Sequence, residues 1–366
     1  MYIGEWLMWF SNSVSSAMLR NFQIPQLDKN LRPSELRKNY TKKSMSDTPR
    51  PIGPYYAYNE HYLEIRGGMF ENFRGIITWI SLLLFLIPLS NAYFAIDILI
   101  KHFNHHKDDF VLVILAASFN FILFIVFAYF FVRYFRHIGR FELFTLRHIR
   151  VRFNRVTKQV YIQRPKYLGG TVVFRWKDIM PICVDEENEN PQNLVNVFYF
   201  HPYKTGLPFI DGFGIGKNTN SLADHRDEWE FIRRYMENGM DELPKPRITT
   251  TLPLPGRALK QQIKPLVKIC QSLPHIATYI IMIPVFIVML PFYIIGYFVS
   301  ECLCWQARWP RVIREAGQKG KPRPKETRLT DYSLKIRQIM LQDESSVEQM
   351  ANKETHNANG TNEVLE

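Results

Sequence analysis

Cysteine is scarce in this sequence, with four residues in a chain of 366. They are Cys183, Cys270, Cys302 and Cys304, and no pair of them has a zinc-ligand spacing with matching histidines. So few cysteines exclude a disulfide-rich secreted scaffold. The sequence therefore predicts no metal site and reduced thiols in a protein that faces the cytoplasm.

Catalytic signatures are absent as well. The sequence has no P-loop and no G-x-S-x-G element, and the glycines between Gly212 and Gly216 lack the spacing of a dinucleotide-binding loop. No nucleophile is paired with a base along the chain. We therefore expect no catalytic residue and no cofactor, and predict that the protein is not an enzyme. A lipid-modifying enzyme is the least favoured alternative.

The N-terminus lacks the basic start of a cleavable signal peptide and carries Glu5 early in the chain. Apolar residues with helical spacing follow, beginning with Trp6 and Trp9. This spacing predicts an amphipathic helix over residues 1–20 that lies on a bilayer, on a partner or against its own domain. Trp6 and Trp9 are therefore candidate lipid-binding or partner-binding residues.

Two long apolar runs occupy residues 75–100 and 109–132. Crossing about 30 Å of hydrocarbon takes about 20 helical residues, so the two runs predict a transmembrane helical hairpin at residues 75–133. From Phe110 to Val132 the second run contains no charged residue, and Asp97 is the one acid of the first. An acid inside a span is a functional candidate, although Asp97 lies close enough to the connecting loop to reach the interface.

Basic residues flank this hairpin on both sides and account for much of the formal net charge of +12. The positive-inside rule then places the N-terminus and the residues from 140 onward in the cytoplasm. We assign the excess charge to these flanks, and we expect no nucleic-acid binding. Clustered arginines next to a span bind anionic headgroups, and the candidates are Arg133, Arg136, Arg140, Arg147, Arg150 and Arg152.

Residues 141–243 predict a cytoplasmic β domain. Residues 149–153 and 159–164 alternate polar and apolar side chains around a turn, which indicates a hairpin. Further strands are expected at residues 171–176, 179–184, 193–200 and 208–215, and residues 227–236 have helical spacing. The predicted fold class is a membrane protein with an α+β domain, an antiparallel barrel or sandwich closed by a C-terminal helix. In outline this domain is similar to pleckstrin-homology-like domains.

The remaining segments differ in composition. Residues 21–74 read as a basic, proline-rich arm, residues 244–275 as a proline-rich and basic connector, and residues 306–366 as a basic and then disordered tail. Residues 276–305 are apolar, interrupted by Pro284 and Pro291. Basic residues on both sides of this run favour a re-entrant hairpin hinged near Pro291, and a single span is the alternative.

The order of these parts carries a resemblance, together with three motifs. The motifs are F-N-R-x-T-x-x-V-Y at residues 153–161, F-R-W-x-D-I at residues 174–179 and W-E-F-I-R-R-Y-M at residues 229–236. Over residues 60–310 the chain resembles a family of poorly characterised bacterial membrane proteins encoded beside type VI secretion spike genes. This resemblance implies a multi-pass protein of the bacterial inner membrane with a role in antibacterial competition, and it supplies no catalytic residue.

Two functions follow from that resemblance. In the first, the chain is an antibacterial effector that inserts into a target membrane and depolarises it, while the β domain binds a secretion spike or a chaperone. In the second, it is a resident immunity or scaffold protein that binds a toxin or a secretion component. The lipid bilayer is a partner in both. A pore would require a homo-oligomer or help from residues 276–305, because the hairpin contains no polar path.

Overall fold

The structure is a computed structural model. It describes residues 2, 6, 38–68, 74–105, 110–181, 194–207, 209–219, 221–260, 263, 276–306, 308–334 and 336–338. The chain divides into two compact units. The helical unit comprises residues 70–147 and 252–305, and the β unit comprises residues 2–69, 148–251 and 306–366. Each unit is therefore built from segments that are distant in the sequence.

The secondary structure confirms the predicted mixture of helices and an antiparallel sheet. The long helices are α1 (Ile76–His105), α2 (Phe110–His137), α3 (Leu222–Glu237) and α4 (Ile276–Leu303). The strands are β1 (Tyr55–Tyr58), β2 (Tyr62–Gly67), β3 (Ile149–Asn154), β4 (Gln159–Gln163), β5 (Thr171–Arg175), β6 (Ile179–Pro181), β7 (Leu194–Phe200) and β8 (Asp211–Thr219). Short helical turns lie at Gly139–Phe141, Lys166–Leu168, Trp176–Asp178, Pro202–Thr205, Arg311–Arg314 and Leu329–Asp331.

In the helical unit, α1 and α2 form at the two predicted apolar runs and pack against each other. Both are long and apolar enough to cross a membrane, judged by length and composition. At 1.5 Å per residue, the 30 residues of α1 and the 28 of α2 correspond to about 45 and 42 Å. The end of α1 and the start of α2 agree with the sequence prediction to within a few residues.

Helix α4 corrects the sequence prediction for residues 276–305. Its 28 residues form one helix that contains both Pro284 and Pro291, so the expected re-entrant hairpin hinged near Pro291 is wrong. Each proline removes a single backbone donor, and the other backbone groups of so apolar a segment are best paired within one helix. Helix α4 also packs against α1, where Gly296 lies beside the indole of Trp79.

The strands of the β unit form a single antiparallel sheet in the order β5-β4-β3-β2-β8-β7-β6, with β1 paired to β2. Strand β2 pairs with β3 in continuous register, from Tyr62 opposite Asn154 to Gly67 opposite Ile149. Residues 55–58 and 62–67 are therefore strands of the sheet. The prediction that residues 21–74 form an arm is wrong for these two segments. The partner of β2 lies beyond both apolar helices in the sequence, which hides this pairing from local patterns.

The sheet curls around an aromatic core. Phe174 of β5 stacks on Phe200 of β7 with ring centroids 4.2 Å apart. Five strand spacings separate β5 from β7 in the sheet order, which would place them about 24 Å apart if the sheet were flat. Helix α3 closes this core, since Trp229 packs 5.4 Å from Trp176 and 5.2 Å from Phe198. The helix predicted to follow the last strand is thus confirmed.

Residues 308–332, which we call the strap, belong to the β unit. Trp309, Ile313 and Ala316 form a buried cluster with Tyr161 of β4 and Val173 of β5. The predicted tail over residues 306–366 is therefore wrong for the strap, which packs on the sheet. The disorder predicted from residue 342 onward lies outside the described residues.

Candidate functional site

The outer faces of α1 and α2 are lined by exposed apolar side chains. Leu83 is 58% exposed, Leu112 67% and Phe119 62%. Water-soluble monomers rarely expose continuous apolar surfaces of this kind. The hairpin therefore suits a hydrocarbon environment.

Three polar side chains of the hairpin find acceptors inside their own helix. The side chains of Ser90 and Asn91 each donate to the carbonyl of Ile87 at 2.8 Å, and Asn120 donates to the carbonyl of Ala116 at 3.0 Å. The candidate Asp97 pairs with Lys101, one turn further along α1, at 2.7 Å. The acid predicted from the sequence thus has a local partner.

A buried carboxylate caps the start of α1. Glu142, which follows α2, accepts hydrogen bonds from the backbone N–H of Gly75, from that of Ile77 at 3.0 Å and from the hydroxyl of Thr78 at 2.8 Å. The first N–H groups of a helix have no intrahelical acceptor and carry a partial positive charge. Glu142 therefore joins the two ends of the hairpin.

Arg74 joins the end of α4 to the same place. Its fully buried guanidinium donates from Nε to Ser300 at 2.9 Å and from Nη2 to the sulfur of Cys304 at 3.4 Å. Ser300 and Cys304 in turn donate to the backbone carbonyl of Glu142, at 3.3 and 2.9 Å. We call Arg74, Glu142, Arg147, Ser300 and Cys304 the polar knot.

Arg147 caps the carboxyl end of α4. It donates to the carbonyl of Glu301 at 2.8 Å and to that of Cys304 at 3.0 Å, which are among the carbonyls left without an intrahelical donor. Arg257 lies in the segment that precedes α4, and its Nη1 atom is 3.9 Å from Oε1 of Glu301. The segments that contain Arg147 and Arg257 therefore both reach the carboxyl end of α4.

The arginines predicted to bind lipid fall into two groups. Arg133 and Arg136 are exposed at the end of α2, where Arg133 donates to the hydroxyl of Tyr129 at 3.0 Å. Arg140 is half-buried, with its guanidinium 5.7 Å from the ring centroid of Phe141. Lipid binding by these three stays a prediction.

The second group has internal partners instead. Arg147 belongs to the polar knot, and Arg150 and Arg152 of β3 both pair with the buried Glu64, at 2.5 and 2.8 Å. Arg152 is 6% exposed and stacks over the ring of Tyr62. The burial of Arg152 contradicts its prediction as a lipid-binding residue. The alternation of β3 puts both β3 arginines on one face, but the strap covers that face.

Of the two tryptophans proposed near the N-terminus, Trp6 is half-buried and its backbone N–H donates to the carbonyl of Tyr2 at 3.1 Å. Trp9 lies outside the described residues, as does most of the amphipathic helix predicted there. No group of three or more potential metal ligands occurs within the described part of the chain.

Residues 38–53 belong to the predicted proline-rich segment, and from here on they alone are called the arm. They pack on an acidic face of α3. Asp227 accepts hydrogen bonds from Ser46, from Thr48 at 3.1 Å and from Arg50 at 2.6 Å. Burial by itself would raise the pKa of Asp227, but these hydrogen bonds together lower it. The sequence predicted α3 but gave no sign that the arm would bind it.

Glu230 is the second acid of this face. It accepts hydrogen bonds from Ser44 and from the N–H of Met45, at 3.0 and 3.2 Å. The guanidinium groups of Arg233 and Arg234 approach it within 2.7 Å. Burial acts to raise its pKa, yet the hydrogen bonds prevail and lower the pKa to about 2.

Glu228 lies between these two acids in sequence but inside the core. Its carboxyl group accepts from the N–H of Gly53 at 2.8 Å, from the hydroxyl of Tyr55 at 3.3 Å and from Asn196 at 2.8 Å. Burial raises its pKa to about 7, because these neutral donors compensate only part of the lost hydration. Neighbouring carboxyl groups on one helix thus have opposite pKa shifts.

Comparison with known proteins gives one match. No curated protein and no solved structure matches this chain. The profile of a family of unknown function, DUF6708, matches residues 121–321, from the middle of α2 to the strap. This match covers more than half of the sequence and includes β3 to β8, α3, α4 and most of the polar knot. The chain therefore belongs to the DUF6708 family.

Proposed function

We propose that this chain is an integral membrane protein in which α1 and α2 form a transmembrane hairpin and α4 is a further membrane helix. The observation that carries the proposal is the apolar outer surface of α1 and α2, combined with the hydrogen bonds that Ser90, Asn91 and Asn120 donate to carbonyls of their own helix. Bilayers favour this combination, because hydrocarbon offers no partner to a backbone or side-chain polar group.

Within that membrane we propose the role of an anchored scaffold or immunity protein. Asp97 is paired with Lys101 on its own helix, and the polar side chains of the hairpin donate to nearby carbonyls. This arrangement supports an anchor better than an ion path through a single chain. The β unit then binds the partner, a toxin or a secretion component, on the cytoplasmic side of a bacterial inner membrane. The link to type VI secretion rests on the sequence resemblance.

A membrane-depolarising effector is the second candidate. The observation in its favour is the length of α2 without a charged residue, from Phe110 to Val132. Such a surface is equally suited to lipid and to other copies of the same hairpin. Conduction in this case arises from an oligomer.

Cysteine labelling in intact cells tests the membrane arrangement. In a chain whose native cysteines are replaced by serine, single cysteines are introduced at Arg136, Leu259 and Trp305 on one side and at Phe103 on the other. Because Arg257 lies beside Glu301, we expect the first three to share one side, and Phe103 to be labelled from the opposite side. Extraction of the chain by alkaline carbonate, or labelling of all four positions from one side, contradicts the proposal.

Expression in a bacterial host with a voltage-sensitive dye separates the two roles. An anchor is expected to leave the membrane potential and growth unchanged. Depolarisation would identify the effector if it disappears when Ile122, an exposed residue of α2, is replaced by Arg. Protection of the host from a toxin encoded beside this gene would support the immunity role directly.

A further inference from the structure

The β unit contains an open cleft with a strongly basic lining. Its volume is about 540 Å³, and it is bounded by the arm, the turn between β3 and β4, the end of β5, the end of α3 and the strap. Five cationic side chains line it, namely Lys42, Lys158, Arg175, Lys177 and Arg323. Two carboxylates, Glu237 and Glu326, oppose them, so the lining carries three net positive charges.

Three contacts hold the side chains that form the walls of the cleft. Glu237 accepts from the indole N–H of Trp176 at 2.6 Å and pairs with Lys158 at 3.4 Å. Arg175 is held by Asp178 at 2.6 Å. These side chains are positioned by neighbours within the fold, which makes the cleft a preformed feature.

The remaining cations are available to a ligand. Lys42 and Lys177 are exposed, and neither forms an ion pair within the described part of the chain. Glu326 lies 3.7 Å from Arg175 and 3.6 Å from Arg323, with both partners solvent-exposed. Exposed pairs at such distances contribute little energy, so a stronger anion can replace Glu326.

A second cavity of about 730 Å³ adjoins the cleft, because both are lined by Arg323 and Glu326. It adds the cations Lys325 and Arg328, the carboxylate of Asp331 and three threonines. Guanidinium forks and lysine ammonium groups are the side chains that bind phosphate, and hydroxyls complete such sites. The neighbouring cavity has room for the molecule to which the phosphate group is attached.

We propose that this cleft binds a phosphomonoester group, carried by a lipid headgroup or by a soluble phosphorylated compound. The proposal does not depend on the role of the helical unit. Lys42 and Lys177 supply the free charge, and Arg175 and Arg323 supply the directed hydrogen-bond donors.

Isothermal titration calorimetry of the full chain in detergent at low salt tests this site. The probes are two phosphomonoesters, soluble glycerol 3-phosphate and monomeric dihexanoyl phosphatidic acid. We expect at least one to bind, and the double variant K42E/K177E to weaken binding at least about 10-fold, since it reverses two charges at the phosphate. Binding of the lipid alone assigns the site to a headgroup, and binding of glycerol 3-phosphate assigns it to a soluble phosphorylated compound.

The matched control is K245E, which reverses an exposed lysine of the β unit outside the cleft. It is expected to bind as the unchanged chain does. The proposal is overturned if neither probe binds, or if K245E weakens binding as much as K42E/K177E. A neutral variant, K42Q/K177Q, takes the place of the charge reversal if thermal unfolding shows that K42E/K177E is not folded.

Discussion

The hydroxyl of Tyr332 donates a hydrogen bond of 2.7 Å to the carboxylate of Asp211. Asp211 also pairs with Arg164 at 2.5 Å, and both side chains of that pair are at most 1% exposed. A buried ion pair stabilises a fold only where further hydrogen bonds satisfy its remaining polar atoms. Tyr332 adds a second donor to the Oδ2 atom of Asp211 that Arg164 also contacts, and it thereby couples the strap to the start of β8.

The first prediction concerns this hydroxyl. Replacing Tyr332 by Phe removes one of the two donors to Oδ2 of the buried Asp211, and a hydrogen bond to a charged group contributes about 1.5 to 3 kcal/mol. We expect Y332F to lower the free energy of unfolding by that amount, measured by urea unfolding of the chain in detergent. Tyr203 is 63% exposed, and Y203F is the control expected to stay within about 0.5 kcal/mol. Equal stability of Y332F and the unchanged chain would contradict the coupling.

The second prediction compares two neighbours in the strap. Ile313 and Val312 lie in the same helical turn, but Ile313 is 4% exposed and Val312 52%. Truncating a buried isoleucine to alanine costs about 2 to 5 kcal/mol, because it removes apolar contacts and leaves a cavity. We expect I313A to be destabilised in this range and its strap to be cleaved faster by trypsin. V312A should behave as the unchanged chain, and similar cleavage of both variants would mean that the strap is not held by Ile313.

The strap illustrates what local sequence patterns miss. Polar side chains on the outer face of β3 and β4 donate to its backbone carbonyls, as Asn154 does to Ala316 at 3.0 Å and Gln159 to Pro324 at 2.9 Å. Backbone acceptors are present in every segment, so such contacts leave no signature in the strap itself. The alternation of β3 and β4 did predict a polar face, and what it could not predict was that another segment would cover it.

Strand β2 was missed for a different reason. The hairpin of β3 and β4 is local, and its alternating pattern predicted both strands almost to the residue. The pairing of β2 with β3 joins residues on either side of the whole helical hairpin. Loop closure over such a distance has no local marker, although Leu63 and Ile65 alternate as a half-buried strand does.

The sequence predicts some parts of the candidate site and misses others. Apolar length located α1 and α2, because membrane-type helices are defined by composition alone. The polar knot could not be found this way, since its buried Arg74 and Glu142 look like ordinary flanking charges in the sequence. Only the fold shows that Glu142 caps α1 and that Arg74 holds Ser300.

The third prediction concerns the contact of α1 with α4. Gly75 has φ +105°, and a Cβ atom there would lie 2.6 Å from the backbone nitrogen of Tyr297. An alanine at this position is strained by its backbone conformation and also forces the two segments apart. We expect G75A to lower the stability of the chain in detergent by about 2 kcal/mol or more, measured by SDS-induced unfolding.

Gly256 provides the control for this substitution. A Cβ atom at Gly256 meets no atom within 4 Å, so G256A should leave the unfolding curve almost unchanged. If G75A and G256A unfold together, the close approach of α1 and α4 at Gly75 is not part of the folded chain.

The fourth prediction follows from the opposite pKa shifts on α3. Unfolded glutamate has a pKa of about 4.3. Burial raises the pKa of Glu228 to about 7, so its contribution is fully present below about pH 4.3 and is lost as the pH rises to about 7. For Glu230 the pKa is lowered to about 2, so its contribution is present above about pH 4.3 and is lost as the pH falls towards 2. The summed contribution of the two residues is highest at about pH 4.3.

The variant E228Q isolates the first of these contributions. Glutamine cannot ionise, so the difference in unfolding free energy between E228Q and the unchanged chain should shift in favour of E228Q by about 2 to 3 kcal/mol between pH 5 and pH 8. Urea unfolding of both chains at the two pH values measures this shift. Glu242 is exposed, and E242Q should show no comparable change. A difference that is the same at both pH values would mean that Glu228 does not ionise within this range, and that burial does not hold its carboxyl group neutral in the folded chain.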